Sequence, residues 1–505
     1  MECERRSLYE TVMSKAGSAI REHKVPLAAT WIVGLLAHMF MFTNKLLNHD
    51  EIVFLFGKGA TLESGRWMLA ATELIFPNVS MPWIYGVIAL AITSLAVCLI
   101  IRLLDIRSKV LQALLAGLIV SFPAQTSIFC FMFTSAPYAL ALLGSVLSVY
   151  IYIYIYIRGS LKSLLAGSAV LALTLGIYQG YIAVASSLYI ILMIQALLKG
   201  EPAGKVFRDG LRYAAALLAA LGLYYAVTLV ICRLSGTELL SYGYSGNSIL
   251  FRVLLAYSSF LRTLFSGYFG YVNGTLSVLA HVVCIAAGAW LVIRYFIVQK
   301  RVPELALAAV CAVLLPLSIN ALYLIAQTGI ISTWTQYSFV CVYVLLAVIF
   351  DRFCENVRLR DVVCAALTAV VVINIFFANK VYLKLFMDYE NAFAYYTVLA
   401  SDIKKSPDYS EDKRVCIAGT AEDGVQTSDE LGLGLFTGPA NDLINVYSKE
   451  LFIKNYIGSD IDMVAFEEYK LRSEIESLPE YKAMPAYPAE GSIAEIDGYL
   501  VVKLG

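Results

Sequence analysis

The chain has 505 residues, of which 59% are hydrophobic and only 15% are charged, and its mean hydropathy is +0.72. Soluble proteins are about half apolar and about a quarter charged, so this composition excludes an ordinary soluble protein and requires lipid as part of the solvent. The formal net charge is zero, so no overall basic field favours a nucleic-acid-binding protein.

Apolar segments long enough to cross a bilayer recur through the first three quarters of the chain. A span needs about 20 mostly apolar residues. Eleven segments qualify, near residues 25–43, 83–101, 110–129, 137–157, 163–179, 181–198, 213–232, 276–297, 303–325, 335–351 and 361–378. The sequence therefore predicts an α-helical polytopic membrane protein, with residues 1–378 as its transmembrane domain.

Basic residues divide unequally between the two sets of connecting segments. With a cytoplasmic N-terminus, twenty Lys and Arg residues lie on the inner side and six on the outer side. The outer six are Lys45, Lys58, Arg66, Arg233, Arg252 and Arg262. Because basic residues resist translocation, this bias predicts a cytoplasmic N-terminus, and eleven spans then put the C-terminus outside the cell.

Residues 379–505 are polar and charged, and they contain no further apolar span. The stretches RVCIAGTAED and GYLVVKLG are typical of short strands, and SDIDMVAFEEYKLRSEIESL is typical of an amphipathic helix. The sequence therefore predicts a small extracytoplasmic α/β domain, whose length lies in the usual range for one domain.

The usual motifs for cofactors are absent from the sequence. Ten cysteines are scattered along the chain without CxxC or Cys/His spacing, which argues against a zinc site or a redox motif. GLGLFTG (432–438) lacks the spacing of a dinucleotide-binding loop and is interpreted as a turn.

Two outer loops, residues 45–82 and 233–275, are long, and each contains an amphipathic stretch that is too polar to span. Such stretches are expected to lie along the membrane interface. Asp50 and Glu51 open the first loop directly after the first span. Adjacent carboxylates point in different directions, so the two are not a sugar-cleaving pair by themselves, but one can accept a proton from an acceptor hydroxyl.

Solvated loop acids are the competing interpretation of Asp50 and Glu51. The neighbouring His49, Glu63 and Arg66 favour a functional site instead. The planar guanidinium of Arg66 can bind phosphate oxygens at two points, although an arginine that reaches towards lipid headgroups would have the same pattern.

Further polar residues lie at the outer ends of spans. Arg252 and Arg262 are ten residues apart in the second loop, about 80° around a helix from each other. Four amide and aromatic residues are of the types that bind sugars: Tyr178, Gln179, Trp334 and Gln336. Each alone favours helix capping or interfacial anchoring, but together they indicate a polar cavity that opens outward.

The layout resembles the GT-C class of integral-membrane glycosyltransferases, with an acidic pair opening the first outer loop, an interfacial helix, many spans and an outer C-terminal domain. NHDEIVFLFGKGATLESGRWML (48–69) is more narrowly similar to the GtrII-type glucosyltransferase family, and GIYQGY (176–181) resembles a polar span end of that family. Two features depart from the family pattern: His49 has no assigned role there, and the C-terminal domain is longer than expected.

The resemblance implies transfer of a hexose, with glucose expected, from a polyprenyl-phosphate donor to a cell-surface glycan outside a bacterial cytoplasmic membrane. Asp50 would deprotonate the acceptor with support from Glu51, and the displacement would invert the anomeric centre. Donor phosphate would be held by Arg66, with Arg252 or Arg262 neutralising the leaving group. His49, Glu63, Tyr178, Gln179, Trp334 and Gln336 would contact substrate. Magnesium or manganese stays open, but the first outer loop has no DxD motif, which favours a reaction with no obligatory metal.

Two rival functions use the same topology. A transporter or flippase of lipid-linked glycans usually places functional charges at mid-membrane, whereas ionisable residues within these spans are few, and His38 and His281 stand nearly alone. A glycan polymerase or ligase would act on the outer face, and its outer arginines would then matter more than the Asp-Glu pair. Asp50→Asn would also distinguish an enzyme from a receptor, whose function this substitution would leave intact.

Overall fold

A computed structural model describes residues 17–18, 20–56, 59, 61–77, 79–155, 160–239, 248–267, 274–325, 333–420, 433 and 447–504. The contacts divide the chain into two compact units. We call residues 1–43, 60–77 and 82–379 the membrane unit, and residues 44–59, 78–81 and 380–505 the C-terminal unit. The GLGLFTG stretch lies outside the described residues apart from Leu433.

Helices account for most of the described chain. In chain order they are α1 (Lys24–Thr43), α2 (His49–Val53), α3 (Trp67–Ala71), α4 (Pro82–Leu104), α5 (Lys109–Ser121), α6 (Pro123–Phe129), α7 (Met132–Tyr150), α8 (Leu161–Ile177), α9 (Ile182–Leu198), α10 (Ala203–Ser235), α11 (Ile249–Phe265), α12 (Gly274–Val298), α13 (Val302–Ile319), α14 (Leu322–Ile325), α15 (Val340–Arg352), α16 (Val357–Lys405), α17 (Lys449–Asn455), α18 (Tyr469–Ser477) and α19 (Pro479–Ala483). A π-helical turn, Ile151–Ile155, extends α7, and 3₁₀ turns lie at Thr72–Leu74, Gln179–Tyr181 and Thr333–Phe339.

Within the described residues, nine helical segments are long and apolar enough to cross a membrane. They are α1, α4, α7 with its π-helical turn, α9 and α15 each with the preceding 3₁₀ turn, α10, α12, α13 and α16. The prediction of a helical polytopic membrane protein is therefore confirmed. The prediction of eleven spans is not, because two of the predicted spans differ from a straight long helix.

The first of these two, predicted at 110–129, is α5 and α6, which are bent by 45° relative to each other. Pro123 begins α6 and has no N–H with which to continue α5, so the chain breaks there. Counted as one span, this pair raises the number to ten over the part of the chain that the structure describes. The other, predicted at 163–179, is α8, an apolar helix of 17 residues that is shorter than the nine segments above.

Small residues and polar caps explain how the membrane helices pack and end. A Cβ on Gly34 of α1 would lie 2.5 Å from Cδ1 of Leu90 in α4, so a larger residue there would require the Leu90 side chain to move. The Ser108 hydroxyl accepts a hydrogen bond from the N–H of Leu111 and caps α5, and Ser248 caps α11 in the same way.

One end of the membrane unit is rich in basic side chains. Arg107 and Arg352 both form ion pairs with Asp105, at the end of α4. Backbone N–H groups of Arg107 and Ser108 donate to the carboxylate of Asp351. Arg301 donates to the carbonyl of Leu197, at the end of α9, and to the carbonyls of Gly200 and Glu201, just after it. The C-terminal end of α9 and the start of α5 therefore lie at the same end of the bundle.

The described residues of the amphipathic stretch in the first outer loop form α2, α3 and a 3₁₀ turn. Gly59 and Gly65 adopt left-handed backbone conformations, with φ of 73° and 70°, and this conformation cannot continue a right-handed helix. In the second amphipathic stretch, Ile249–Phe265 form a single helix, α11, and both Arg252 and Arg262 lie on it.

The C-terminal unit contains a three-stranded sheet of β1 (Val415–Ala418), β2 (Ile493–Ile496) and β3 (Tyr499–Lys503). Central β3 pairs parallel to β1 and antiparallel to β2. One core of this unit joins the sheet to α16 and α17, and the fully buried Leu47 and Ile52 of the first outer loop belong to the same core. The short segment with α2 is thus folded together with the C-terminal sheet.

The prediction of a small α/β region with strands in RVCIAGTAED and GYLVVKLG is confirmed by β1 and β3. Three details were wrong. Helix α16 continues to Lys405 instead of ending near residue 378, strand β2 was missed, and the predicted amphipathic helix is reduced to α18.

Candidate active site

The two acids of the first loop lie in the first turn of α2. Asn48 has an extended backbone, and its Oδ1 accepts a hydrogen bond of 2.9 Å from the N–H of Glu51, so Asn48 caps this short helix. The helix gives Asp50 and Glu51 different directions, because successive residues are about 100° apart around the axis. The two carboxylates consequently have different surroundings.

Glu51 is fully buried and is held by two donors. Its Oε2 accepts from Nζ of Lys45 at 3.0 Å and from Oγ of Ser80 at 2.5 Å. Charge-assisted hydrogen bonds of this kind compensate for burial of a carboxylate. Burial, together with the charge of Glu51, raises the pKa of the nearby Tyr456 phenol. Glu51 therefore holds residues 44–51 and 78–81 together within the C-terminal unit.

Asp50, in contrast, is open to solvent, with 30% of its side chain exposed. Its Oδ1 accepts a hydrogen bond of 2.7 Å from the hydroxyl of Tyr447, and Nε2 of His49 lies 3.6 Å from the same oxygen. We call Lys45, His49, Asp50, Glu51, Ser80 and Tyr447 the acid cluster. It presents one oriented, accessible carboxylate, which can accept a proton from a hydroxyl group.

A second cluster, in the membrane unit, surrounds Arg66. The guanidinium of Arg66 lies over the ring of Tyr178, 5.0 Å from its centroid, and Tyr178 in turn stacks on Tyr138 at 4.8 Å. A cation above an aromatic face is attracted by the ring quadrupole. The neighbouring Gly65 is needed because its φ is 70° and a Cβ there would lie 2.6 Å from the hydroxyl of Tyr224.

Hydrogen bonds fix the backbone on both sides of Arg66. Nε2 of Gln179 donates to the carbonyl of Ser64 at 2.7 Å and to the hydroxyl of Tyr224 at 2.8 Å. The Tyr224 hydroxyl donates to the carbonyl of Gly65 at 3.1 Å. We call Ser64, Gly65, Arg66, Tyr138, Tyr178, Gln179 and Tyr224 the arginine cluster. It is a preorganised cationic and aromatic surface, suited to an anion attached to a sugar.

The other predicted site residues are not members of these two clusters. On α11, Arg252 donates to the carbonyl of Leu324 at 3.4 Å, and its buried Nε makes no hydrogen bond among the described residues. Gln336 is buried and donates to the hydroxyl of Ser259 at 2.8 Å, also on α11. Further separate residues are Trp334, which packs against Phe131, and the exposed Arg262 and Glu63.

An apolar groove lies inside the membrane unit. It has a volume of about 500 Å³ and is lined by α9, α10, α13 and α14. Its lining residues Ile182 and Ser186 follow Tyr178 and Gln179 in the chain, and its lining residue Leu221 on α10 lies one helical turn before Tyr224. Leu324, whose carbonyl accepts a hydrogen bond from Arg252, also lines the groove.

Sequence reasoning missed several residues of both clusters. Tyr447 reaches Asp50 across 397 positions of sequence, and Tyr224 lies within a span where a tyrosine indicates only packing. Lys45 was counted only as an outer basic residue, although its spacing from Glu51 could have indicated an ion pair. Nothing in the sequence marks Ser80.

The described residues contain no group of three His, Cys, Asp or Glu side chains that could hold a metal ion. At the acid cluster, the ammonium group of Lys45 occupies the Glu51 carboxylate that a cation would need. The side chains present there therefore do not fit a shell in which both acids ligate one divalent cation.

Comparison with known protein families gives a match. The family model described as Glucosyl transferase GtrII matches residues 39–350, which is more than half of the chain. The matched range contains α2, Arg66, Tyr178 and Gln179, and it ends before α16, the C-terminal sheet and Tyr447. Neither a curated protein nor a solved structure shows significant similarity to the chain.

Proposed function

Since the chain belongs to the GtrII glucosyl transferase family, we propose that it transfers glucose from a polyprenyl-phosphate-linked donor to a cell-surface glycan outside the cytoplasmic membrane. Transferase activity and the membrane helices follow from the family and the composition. The donor, the side of the membrane, the mechanism and the site residues belong to the proposal.

The observation that carries the donor assignment is an apolar groove in the membrane unit whose lining residues are near neighbours in the chain of the arginine cluster. A long isoprenoid chain with a phosphate at one end needs an apolar path that ends at a cation. We assign this path to the groove lined by α9, α10, α13 and α14, because its lining includes Ile182, close after Tyr178 in the chain, and Leu324, whose carbonyl accepts a hydrogen bond from Arg252. Arg66 or Arg252 would bind the phosphate.

The proposed reaction is one displacement at the anomeric carbon. The acceptor hydroxyl oxygen forms the new bond to this carbon as the bond to the donor phosphate oxygen breaks, so the configuration inverts. Asp50 accepts the hydroxyl proton and later releases it to water, while polyprenyl phosphate leaves with both electrons of the broken bond and is stabilised by an arginine. Glu51, already held by Lys45 and Ser80, keeps α2 in place.

The two ends of the membrane unit support an extracytoplasmic reaction. The basic end contains Arg107, Arg301 and Arg352, and the positive-inside bias favours this end for the cytoplasm. Helix α9 begins beside Tyr178 and ends at this basic end, and its 17 residues span about 25 Å. The arginine cluster is then at the opposite, outer end.

The test is sugar transfer by the purified full-length protein from synthetic polyprenyl-phosphate glucose, followed by release of free polyprenyl phosphate. Asp50→Asn should reduce turnover at least about 100-fold while donor binding persists, because proton transfer is worth about 10²–10⁴-fold. Asp460→Asn, an exposed carboxylate of the same unit, is the matched control.

Arg66→Ala should raise the KM for the donor at least about tenfold, because a lost charge-assisted hydrogen bond costs about 1.5–3 kcal/mol. Arg107→Ala, at the basic end, is its control. Assays in EDTA and with added magnesium or manganese test the expectation that no metal is obligatory. If the wild type transfers no sugar but moves lipid-linked glycans across vesicle membranes, the proposed function is wrong and the transporter is correct.

A further inference from the structure

We propose that Tyr447 is a positioning residue for Asp50, so that a residue carried by the C-terminal core orients the proposed base. The inference rests on the proposed function, in which Asp50 is the base. It extends that function to a residue outside the range that matches the family model.

The contact between the two side chains is direct. The Tyr447 hydroxyl donates to Oδ1 of Asp50 at 2.7 Å, and the Tyr447 ring meets His49 edge-on, with centroids 5.8 Å apart and planes at 82°. On its other side this ring packs against Phe466 at 5.9 Å. Because Tyr447 and His49 both approach Oδ1, Oδ2 is the oxygen that the described contacts of Asp50 leave for an acceptor hydroxyl.

A buried group of charges holds the segment that carries Tyr447. Helix α17 begins two residues later, and Nη2 of Arg472 donates to Oε1 of Glu450 in its first turn at 2.7 Å. Nζ of Lys449, only 1% exposed, donates to the carbonyl of Gly419 at 2.6 Å. Ionic side chains buried to this extent are costly to leave unpaired, so these contacts anchor the first turn of α17 and with it Tyr447.

Asp50, the acceptor of the hydrogen bond from Tyr447, lies in a segment that packs in the hydrophobic core of the C-terminal unit. Leu47 and Ile52, on either side of Asp50, are fully buried against Phe452 of α17 and Leu500 of β3. Donor and acceptor are therefore fixed relative to one another by one hydrophobic core. An oriented carboxylate requires less reorganisation at the moment of proton transfer, which is how positioning contributes to rate.

Tyr447→Phe tests the inference, since it removes only the hydroxyl group. We expect kcat to fall about tenfold, which corresponds to about 1.4 kcal/mol, while the KM for the donor changes less than about twofold. Tyr487→Phe is the matched control, because its hydroxyl donates to Oδ2 of Asp402 at 2.8 Å in the same unit. An unchanged kcat in Tyr447→Phe, or an equal fall in Tyr487→Phe, would overturn the positioning role.

A double-mutant cycle tests the pair without any sugar transfer. The midpoint of thermal unfolding is measured for Tyr447→Phe, Asp50→Asn and the double variant in the full-length protein. We expect the double variant to shift no further than the larger single shift, because both changes remove one hydrogen bond. Additive shifts would refute the contact. A non-additive cycle in a protein that transfers no sugar would refute both the catalytic role of the pair and the proposed function.

Discussion

The ion pair between Lys45 and Glu51 gives a prediction whose size follows from the burial of its two members. The Glu51 side chain is 0% exposed and that of Lys45 is 31% exposed, with 3.0 Å between Nζ and Oε2. Lys45→Met would remove the ammonium group that pairs with this buried carboxylate. Breaking a fully buried pair from one side costs about 3–5 kcal/mol. Because Lys45 is partly solvated, we expect a loss of about 2–3 kcal/mol in the free energy of unfolding.

The assay must report on the C-terminal unit alone. All five tryptophans lie in the membrane unit, so their fluorescence would not follow its unfolding. Cys416 in β1 is fully buried and is the unit's single cysteine, so the labelling of its thiol, measured by mass spectrometry of the peptide during heating, reports unfolding there. For a unit of this size, the expected loss corresponds to a lower midpoint by about 5–10 °C.

Two controls make the result decisive. Lys404→Met breaks a pair with the exposed Asp460 and should leave the midpoint within error, because exposed pairs contribute little. Adding Glu51→Gln to Lys45→Met removes the unpaired charge and should recover at least half of the loss. If Lys45→Met were as harmless as Lys404→Met, or if the double variant recovered nothing, the role assigned to the buried ion pair would be wrong.

Three further predictions concern other contacts. Gly65→Ala forces a side chain into a left-handed conformation beside Tyr224, at a cost of about 1–2 kcal/mol, and should lower kcat/KM about tenfold in the transfer assay. Thr228→Val leaves the indole N–H of Trp67 without its 3.1 Å acceptor and should cost about 1–3 kcal/mol, measured by tryptophan fluorescence during thermal unfolding. Burial lowers the pKa of Lys449 from 10.5 to about 8, so between these pH values the unfolded chain binds more protons. The free energy of unfolding should therefore rise by about 3 kcal/mol from pH 8 to 10.5, and Lys449→Met should abolish the rise when unfolding is followed by Cys416 labelling.

The membrane helices were predictable because their signal is local. An apolar run of sufficient length must satisfy its backbone by forming a helix, wherever the rest of the chain lies. The break before Pro123 could also have been predicted, since the proline follows an apolar run that is otherwise continuous. The long extension of α16 was missed because polar composition was interpreted as the start of a separate domain. Residues 357–405 contain no glycine or proline, and that signal favoured a continuous helix.

The acid cluster could be predicted only in part, because its contacts are not local. Asp50 and Glu51 are visible as a pair, but the sequence contains nothing that joins residues 44–59 to the C-terminal core. That association depends on the burial of Leu47 and Ile52 against distant strands. The hydrogen bond from Tyr447 follows from the same packing. Tertiary burial, not local propensity, selects these partners.

The division of roles between the two acids follows from helix geometry together with that burial. Asp50 and Glu51 are about 100° apart around α2, so their side chains point in different directions. Glu51 faces inward, where a buried carboxylate without hydrogen-bond donors would be costly. Lys45 and Ser80 both donate to this carboxylate and so compensate for its burial. Asp50 therefore faces outward, accessible to solvent and oriented by Tyr447. An adjacent acidic pair can thus supply one structural carboxylate and one reactive carboxylate. The structural one is the buried Glu51, because the fold provides its hydrogen-bond donors.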